Sequence, residues 1–242
     1  MRIDAYLALS GLVSSRTEAK RYIEAGAVTV GANRIDKPSF DIEGMEESIE
    51  IDRSVFSYVS RGGIKLEAAL EEFHASPDGK LCLDIGASSG GFTDCLLSHG
   101  AAHVIAVDSG RDQMVEKLRV DDRVTVIEGY NARYMRSEDF EYVPTFAVMD
   151  VSFISATYII EPLSRILPSG AEFISLVKPQ FEVGRANIGK GGIVKDKRAR
   201  DAALLKVVDY ARSVGFTLKG TVESPIKGGD GNVEFLAYFV KD

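Results

Sequence analysis

From residue 64 onward the apolar positions fall into two alternating patterns. Short, nearly continuous apolar runs at 81–85, 103–108, 124–127, 145–151 and 173–177 have the length of strands buried on both faces of a parallel sheet. Between them, segments 64–73, 92–98, 113–119, 155–167 and 198–214 carry apolar residues at helical spacing. Two further β-like runs, 217–223 and 233–240, close the chain, separated by Pro225 and Gly228-Gly229-Asp230-Gly231. This alternation predicts an α/β fold with an open sheet, whose ligands lie beyond the carboxyl ends of the strands.

The first 53 residues read differently. Residues 4–9 suggest a short helix, and Ser15-Arg16-Thr17-Glu18 has the form of a capping box opening a helix that ends at Gly26. Val28-Thr29-Val30, a Gly31-Ala32-Asn33 turn and Arg34-Ile35 read as a hairpin. A small α+β domain is therefore expected over 1–53, a linker over 54–63 and the α/β domain over 64–242. Ser60-Arg61-Gly62-Gly63 supplies the closing punctuation of the linker.

Composition narrows the class. The chain has 242 residues, 45% hydrophobic and 27% charged, which excludes a disordered or low-complexity polymer. Cys82 and Cys95 cannot build a disulfide scaffold, and His74, His99 and His103 lack metal-ligand spacing. The longest stretch free of charged residues, 95–107, is too short to span a bilayer. With Asp4 interrupting any signal pattern, a cytoplasmic protein without membrane association is expected.

Net charge is −7, which by itself argues against a nucleic-acid partner. The distribution changes that picture: residues 1–40 hold six basic against four acidic side chains, and residues 178–206 hold eight against three. A stretch from Asp41 to Asp52 is acidic throughout. Local basic regions on an acidic body fit a polyanion held at chosen places, the alternative being a mixed solvated surface.

Two constellations carry candidate chemistry. In Asp84-Ile85-Gly86-Ala87-Ser88-Ser89-Gly90-Gly91-Phe92-Thr93 a strand passes through a small-residue loop into a helix, and the next strand ends in Asp108. Gly86, Gly90 and Gly91 allow close backbone approach to a ligand, with Ser88 and Phe92 beside them; Asp108 suits ribose hydroxyls. The spacing is not that of a dinucleotide loop. Asp84 would repel a pyrophosphate and suit a cationic amino-acid tail, which points to S-adenosylmethionine. Asn131, after the third strand, is expected at the adenine end. The alternative is a structural βα turn with a capping Asp.

The second constellation is Asp150, Lys178, Glu234 and Lys65. The first two end neighbouring strands, Glu234 starts the last one, and Lys65 lies in the first turn after Gly62-Gly63. Surface ion pairs are the plain reading of each alone; together they suggest a Lys-Asp-Lys-Glu set. A ribose 2′-hydroxyl attacks a methyl group only as its proton leaves, and a lysine serves as base when a second cation and burial favour its neutral form. Lys178-Pro179-Gln180-Phe181 stands where amino-group methylases place Asn or Asp before Pro-Pro. Lysine offers no acceptor to a base amine, so a hydroxyl target is favoured.

These motifs resemble the hemolysin A (TlyA-type) family of ribosomal RNA 2′-O-ribose methyltransferases. Arg2-Ile3-Asp4, Ser15-Arg16, Gly26, Val28, Val30 and Lys37-Pro38 are similar to its S4 RNA-binding domain, although Val30-Gly31-Ala32-Asn33 departs from the usual Val-Asn-Gly order. Ser60-Arg61-Gly62-Gly63, the loop from Asp84, residues 150–155, Lys178-Pro179-Gln180-Phe181-Glu182 and the Gly-rich 187–194 segment resemble its FtsJ-like catalytic motifs. The resemblance implies a Rossmann-like S-adenosylmethionine-dependent methyltransferase sheet preceded by a small α+β S4 domain. It also implies a catalytic Lys65, Asp150, Lys178 and Glu234, with Lys178 as base, acting on cytidine riboses of rRNA in ribosomal subunits. Asp150 is expected to touch the cofactor as well.

Arg16 and Lys20 share a helix face with Arg21 beside it, and with Arg2 and Arg61 they form the expected RNA surface. Arg185 and Lys190 lie in the 184–194 loop, whose glycines suit a cover over the site. Three rival readings stay open: a non-catalytic ribosome-binding protein, a membrane-lysing toxin lacking the expected spanning elements, and an oxidoreductase disfavoured by the loop spacing.

Overall fold

The computed structural model describes residues 1–13, 16–52 and 58–242. Ser15 and the 53–57 portion of the expected linker lie outside the described residues, and so does the side chain of Arg21. The chain divides into two units, residues 1–57 and 58–242.

In the first unit, α1 (Ile3–Leu9) and α2 (Arg16–Glu24) precede β1 (Val28–Val30), β2 (Asn33–Arg34) and β3 (Ile49–Ile51). The strands form an antiparallel sheet in the order β2-β1-β3. Val30 pairs with Asn33, so the β1–β2 loop is the two residues Gly31-Ala32, with Gly31 at a φ of +57°. A positive φ at the first loop position matches the twist of a tight hairpin. Strand β3 lies within the acidic 41–52 stretch: Ile49 and Ile51 flank Glu50 in period-two alternation and pair with Val30 and Val28. Ile3, Leu7, Ile23, Val28 and Ile42 are fully buried at the centre of this unit.

In the second unit, α3 (Arg61–Phe73), β4 (Leu81–Ile85), α4 (Gly91–Ser98), β5 (His103–Asp108), α5 (Glu116–Arg119) and β6 (Val124–Glu128) come first. They are followed by β7 (Phe146–Met149), α6 (Thr157–Ile166), β8 (Glu172–Val177), α7 (Pro179–Glu182), α8 (Lys197–Ser213), β9 (Phe216–Glu223) and β10 (Phe235–Lys241). The sheet order is β6-β5-β4-β7-β8-β10-β9, with β4 to β8 parallel and β10 antiparallel to both its neighbours. Alternate strand residues serve opposite faces. Cys82, Val104, Val148 and Ile174 pack with α3 and α4, whereas Leu83, Ile105, Ala147 and Phe173 pack with α6 and α8. That double burial is why the strands read as continuous apolar runs.

Two expected boundaries move. Residues 60–63, read as linker because of their glycines, are the N-cap and first turn of α3. A Cβ at Gly63 would stand 2.3 Å from the Tyr58 ring, so this glycine serves close packing rather than chain freedom. Helix α5 starts at Glu116 rather than 113, because the N–H groups of Asp112, Gln113 and Met114 donate to the Glu128 carboxylate at 2.8, 3.0 and 3.2 Å. Burial pushes the Glu128 carboxyl up, but these bonds and Arg119 outweigh it and bring its pKa down to about 2.

Candidate active site

Beyond the carboxyl ends of β4, β5 and β7 lie two adjoining clefts that share Gly86, Ser88 and Asp150. The larger, about 520 Å³, is lined by Ile85, Val107, Asp108, Asn131, Phe153 and Ile159 among others. The smaller, about 230 Å³, is lined by Ser60, Arg61, Lys65, Ser89, Gly91 and Phe92 among others. The crossover in strand order at β4 opens this space, since β5 and β7 leave it on opposite sides.

The loop glycines divide by role. Gly86 has a φ of +84°, and a Cβ there would lie 2.4 Å from the Asp150 carbonyl oxygen, so Gly86 lets the β4 and β7 loops meet. At Gly90, with a φ of +95°, a Cβ would strike Leu118 and Met114 at 2.3 and 2.6 Å, and Gly90 lines neither cleft. The expectation of ligand approach at Gly90 is therefore corrected to one of helix packing. Gly91 and the buried Phe92 do reach the smaller cleft.

Asp108 lines the larger cleft and accepts from the N–H groups of Ser88 and Gly110 at 2.8 and 2.7 Å. These bonds hold the carboxylate in place, with lone pairs left for a diol. Asn131 lines the same cleft while its Oδ1 accepts from Arg133 N–H at 3.1 Å. Asp84 corrects another expectation, because it is fully buried and lines neither cleft. Its Oδ2 accepts from Thr93 Oγ1 at 2.7 Å, and its Oδ1 has no hydrogen-bond partner. Burial pushes the Asp84 carboxyl up to about 7, with Thr93 opposing and the charges of Asp150 and Asp108 adding. Its influence on a cation comes from beneath the loop. An adenosyl group with a cationic tail fits this arrangement: apolar walls at Ile85, Val107 and Ile159, an acid for the ribose, and an unsatisfied buried carboxylate oxygen below the loop.

The four charged residues stand as two ion pairs. Lys65 Nζ lies 2.5 Å from Glu234 Oε2, with side chains 10% and 2% exposed. Lys178 Nζ lies 2.5 Å from Asp150 Oδ1 and donates to Ser152 Oγ at 2.8 Å. The Asp150 contact lacks hydrogen-bond geometry at Oδ1 and acts as a Coulombic pair. Because Phe235 pairs with Val177, Glu234 and Lys178 sit at neighbouring ends of antiparallel strands. Lys65 and Asp150 both line the smaller cleft, which brings the two pairs to one opening. Ser152 belongs to the 150–155 motif, but its role as a partner of Lys178 is visible only in the fold.

Among the basic candidates of the first unit, Arg2 and Arg16 both bind the fully buried Asp4, at 3.0 and 2.8 Å, with their own side chains half exposed. Lys20 is exposed. In the second unit Arg61 is exposed at the smaller cleft, and Arg185 and Lys190 are exposed within two 3-10 turns, Arg185–Asn187 and Lys190–Gly192. The far end of that loop is pinned: Val194 N–H donates to Asn232 Oδ1 at 2.9 Å, and Asn232 Nδ2 donates to the Gly192 carbonyl at 3.0 Å. Cys82 and Cys95 are buried, which pushes both thiols up to about 12 and removes them as nucleophiles. No helix among the described residues is long and apolar enough to cross a membrane.

Residues 58–241 match the model of the FtsJ-like methyltransferases, and residues 1–48 match that of the S4 domain. Hemolysin A of Brachyspira hyodysenteriae is 43% identical, over 99% of this chain and 100% of that protein. The 16S/23S rRNA (cytidine-2′-O)-methyltransferase TlyA of Mycobacterium tuberculosis is 40% identical, over 98% of this chain and 88% of that protein. A solved structure described as a candidate hemolysin from Streptococcus thermophilus superposes with a TM-score of 0.80 at 45% identity, covering 100% of this chain and 88% of the other. With the cleft, the loop and the match over the whole second unit in agreement, the chain belongs to the FtsJ-like methyltransferase family and carries an S4 domain at its amino-terminal side.

Proposed function

We propose that this protein methylates a ribose 2′-hydroxyl, that of a cytidine, in ribosomal RNA, using S-adenosylmethionine. The observation that carries the reading is the convergence of Lys65–Glu234 and Lys178–Asp150 on one opening beside the Asp108 cleft. The cytidine and the rRNA come from the activity named for the Mycobacterium tuberculosis relative. Such a substrate puts the protein's work in the cytoplasm, on ribosomal subunits.

When bound, S-adenosylmethionine supplies a methyl carbon made electrophilic by its sulfonium. Asp108 orients the ribose diol of that ligand, Gly86, Ser88 and Gly91 line its path, Asn131 flanks the base and Asp84 favours the cationic tail. Lys178, in its neutral form, takes the proton of the attacking hydroxyl at Nζ, held in aim by Asp150 and Ser152. Lys65, paired with buried Glu234, keeps a second positive charge at the smaller cleft, where oxygen charge develops. Residues 1–53, with Arg2, Arg16, Lys20 and Arg21, hold RNA phosphates, and Arg61, Arg185 and Lys190 extend that role near the site.

The test is methyl transfer from labelled S-adenosylmethionine to ribosomal subunits and to naked rRNA, with the product mapped by the resistance of a 2′-O-methylated linkage to alkali. Label on a base, or no label on either RNA, rejects the reading.

A further inference from the structure

Glu182 follows Lys178 by four residues and ends α7. Its side chain is only 2% exposed, although the residue carries a charge. Oε1 accepts from the Ala156 N–H at 2.7 Å, and Oε2 accepts from Ser155 Oγ at 2.6 Å and from Lys206 Nζ at 2.9 Å. Ser155 and Ala156 end the loop that starts at Asp150 and leads into α6. A second contact joins the same two segments: the rings of Phe153 and Phe181 are 5.2 Å apart.

The strand ladder does not do this work. The last β7–β8 pair is Met149 with Ser175, and Asp150 and Lys178 both lie beyond it. Past that point no ladder bond fixes how far apart their backbones run. Ser155 Oγ accepts from the Thr157 N–H at 3.4 Å at the start of α6. Both that serine and the Ala156 N–H are held in turn by Glu182 from the strand-end segment that carries Lys178, so the two loops are tied to each other. A buried carboxylate is tolerated only when paired and hydrogen-bonded, and Glu182 meets that condition with three donors from two segments, the 150–156 loop and α8.

We propose that Glu182 is a positioning residue that clasps the 150–156 loop to the segment after β8 and so sets the Lys178–Asp150 and Lys178–Ser152 contacts. The inference rests on the methyl-transfer reading for its catalytic consequence, but its geometry is testable without transfer.

The experiment compares the full-length protein with Glu182→Ala and Glu182→Gln. In the absence of any ligand, acetylation of Lys178 by a small active ester is followed by mass spectrometry, alongside hydrogen exchange of the 150–157 segment. Glu182→Ala is expected to label Lys178 several-fold faster and to exchange faster at 150–157. Glu182→Gln, which keeps an acceptor for Ala156 and a partner for Ser155, should stay near wild type. In single-turnover transfer with both substrates saturating, Glu182→Ala should lose about 10²-fold in rate, as expected for misplacement of a reacting group by about 1 Å, with KM for RNA little changed. Glu182→Gln should restore most of the rate. Unchanged Lys178 labelling in Glu182→Ala overturns the inference, and so does a wild-type transfer rate with an opened loop. Should Glu182→Ala fail to fold, Glu182→Gln combined with Ser155→Ala takes its place under the same criteria. A wild-type protein that transfers nothing rejects the methyl-transfer reading, while the labelling result still decides the role of Glu182.

Discussion

Lys65 and Glu234 lie 169 residues apart in the chain and 2.5 Å apart in the fold, with both side chains almost wholly removed from solvent. The first turn of α3 supplies one, and the entry to β10 supplies the other. A Cβ at Gly228 would come within 2.4 Å of the Glu234 carboxylate, so the turn before β10 is shaped around it.

Removing one partner leaves the other charged and buried. Glu234→Leu is expected to cost about 3–5 kcal/mol of stability, and the double change with Lys65→Met should recover much of it, because paired removal leaves no orphan charge. Urea unfolding of the three proteins checks this. Equal losses in the single and double variants would show that the pair is not what stabilises the region.

Cofactor binding and chemistry should separate by residue. Asp108→Ala is expected to weaken S-adenosylmethionine binding, since it loses the diol acceptor held by Ser88 and Gly110. Lys178→Ala should bind nearly as well and lose about 10²–10⁴-fold in transfer, the range of a general base. Calorimetry beside a single-turnover assay reads both.

Asp84 makes two pH dependences with opposite signs. Its carboxyl titrates at about 7 in the folded protein and at 3.8 when unperturbed, so the folded state holds the extra proton between those values. Stability of the ligand-free protein should therefore fall as pH rises from about 4 toward 7. A cationic ligand favours the ionised form, so S-adenosylmethionine affinity should rise across pH 6 to about 8 with release of a proton. Calorimetry in buffers of different ionisation enthalpy measures that proton, and Asp84→Asn should abolish both slopes.

Asp4 behaves in the ordinary carboxylate direction. The Arg2 hydrogen bonds bring its pKa down to about 2, with burial opposing and Arg16 assisting. Its contribution is complete above about pH 4 and is lost as pH falls through about 2. A carbon-detected NMR titration of the carboxyl checks the midpoint. Asp4→Ala should destabilise the first unit by about 1–3 kcal/mol, the worth of hydrogen bonds to charged groups.

If the first unit holds RNA through phosphates, Arg16→Glu with Lys20→Glu should weaken rRNA binding and lower the slope of log affinity against log salt by about 2. Filter binding across a salt series decides it. An unchanged slope removes these residues from the interface.

The sequence by itself determined the order of helices and strands, because strands buried on both faces must be apolar throughout and the helices between them must carry one apolar face. It also contained the loop from Asp84 and the charged residues at the strand ends, which stand out against apolar neighbours. What it could not determine were distances and partners across the sheet. The pairing of Lys65 with Glu234 depends on β10 inserting antiparallel between β8 and β9, and no local spacing encodes that insertion. Gly86 and Gly90 look alike in the sequence, yet one faces the Asp150 backbone and the other faces Leu118 and Met114. Asp84 reads as a ligand from its place at a strand end, but its side chain alternates inward, under the loop, where Thr93 meets it. Ser152 and Glu182 stand inside recognisable motifs, but their partners lie tens of positions away and are set by the fold. Local pattern sets secondary structure because it is a property of neighbouring residues; the site is a property of which strands become neighbours, and tertiary packing alone decides that.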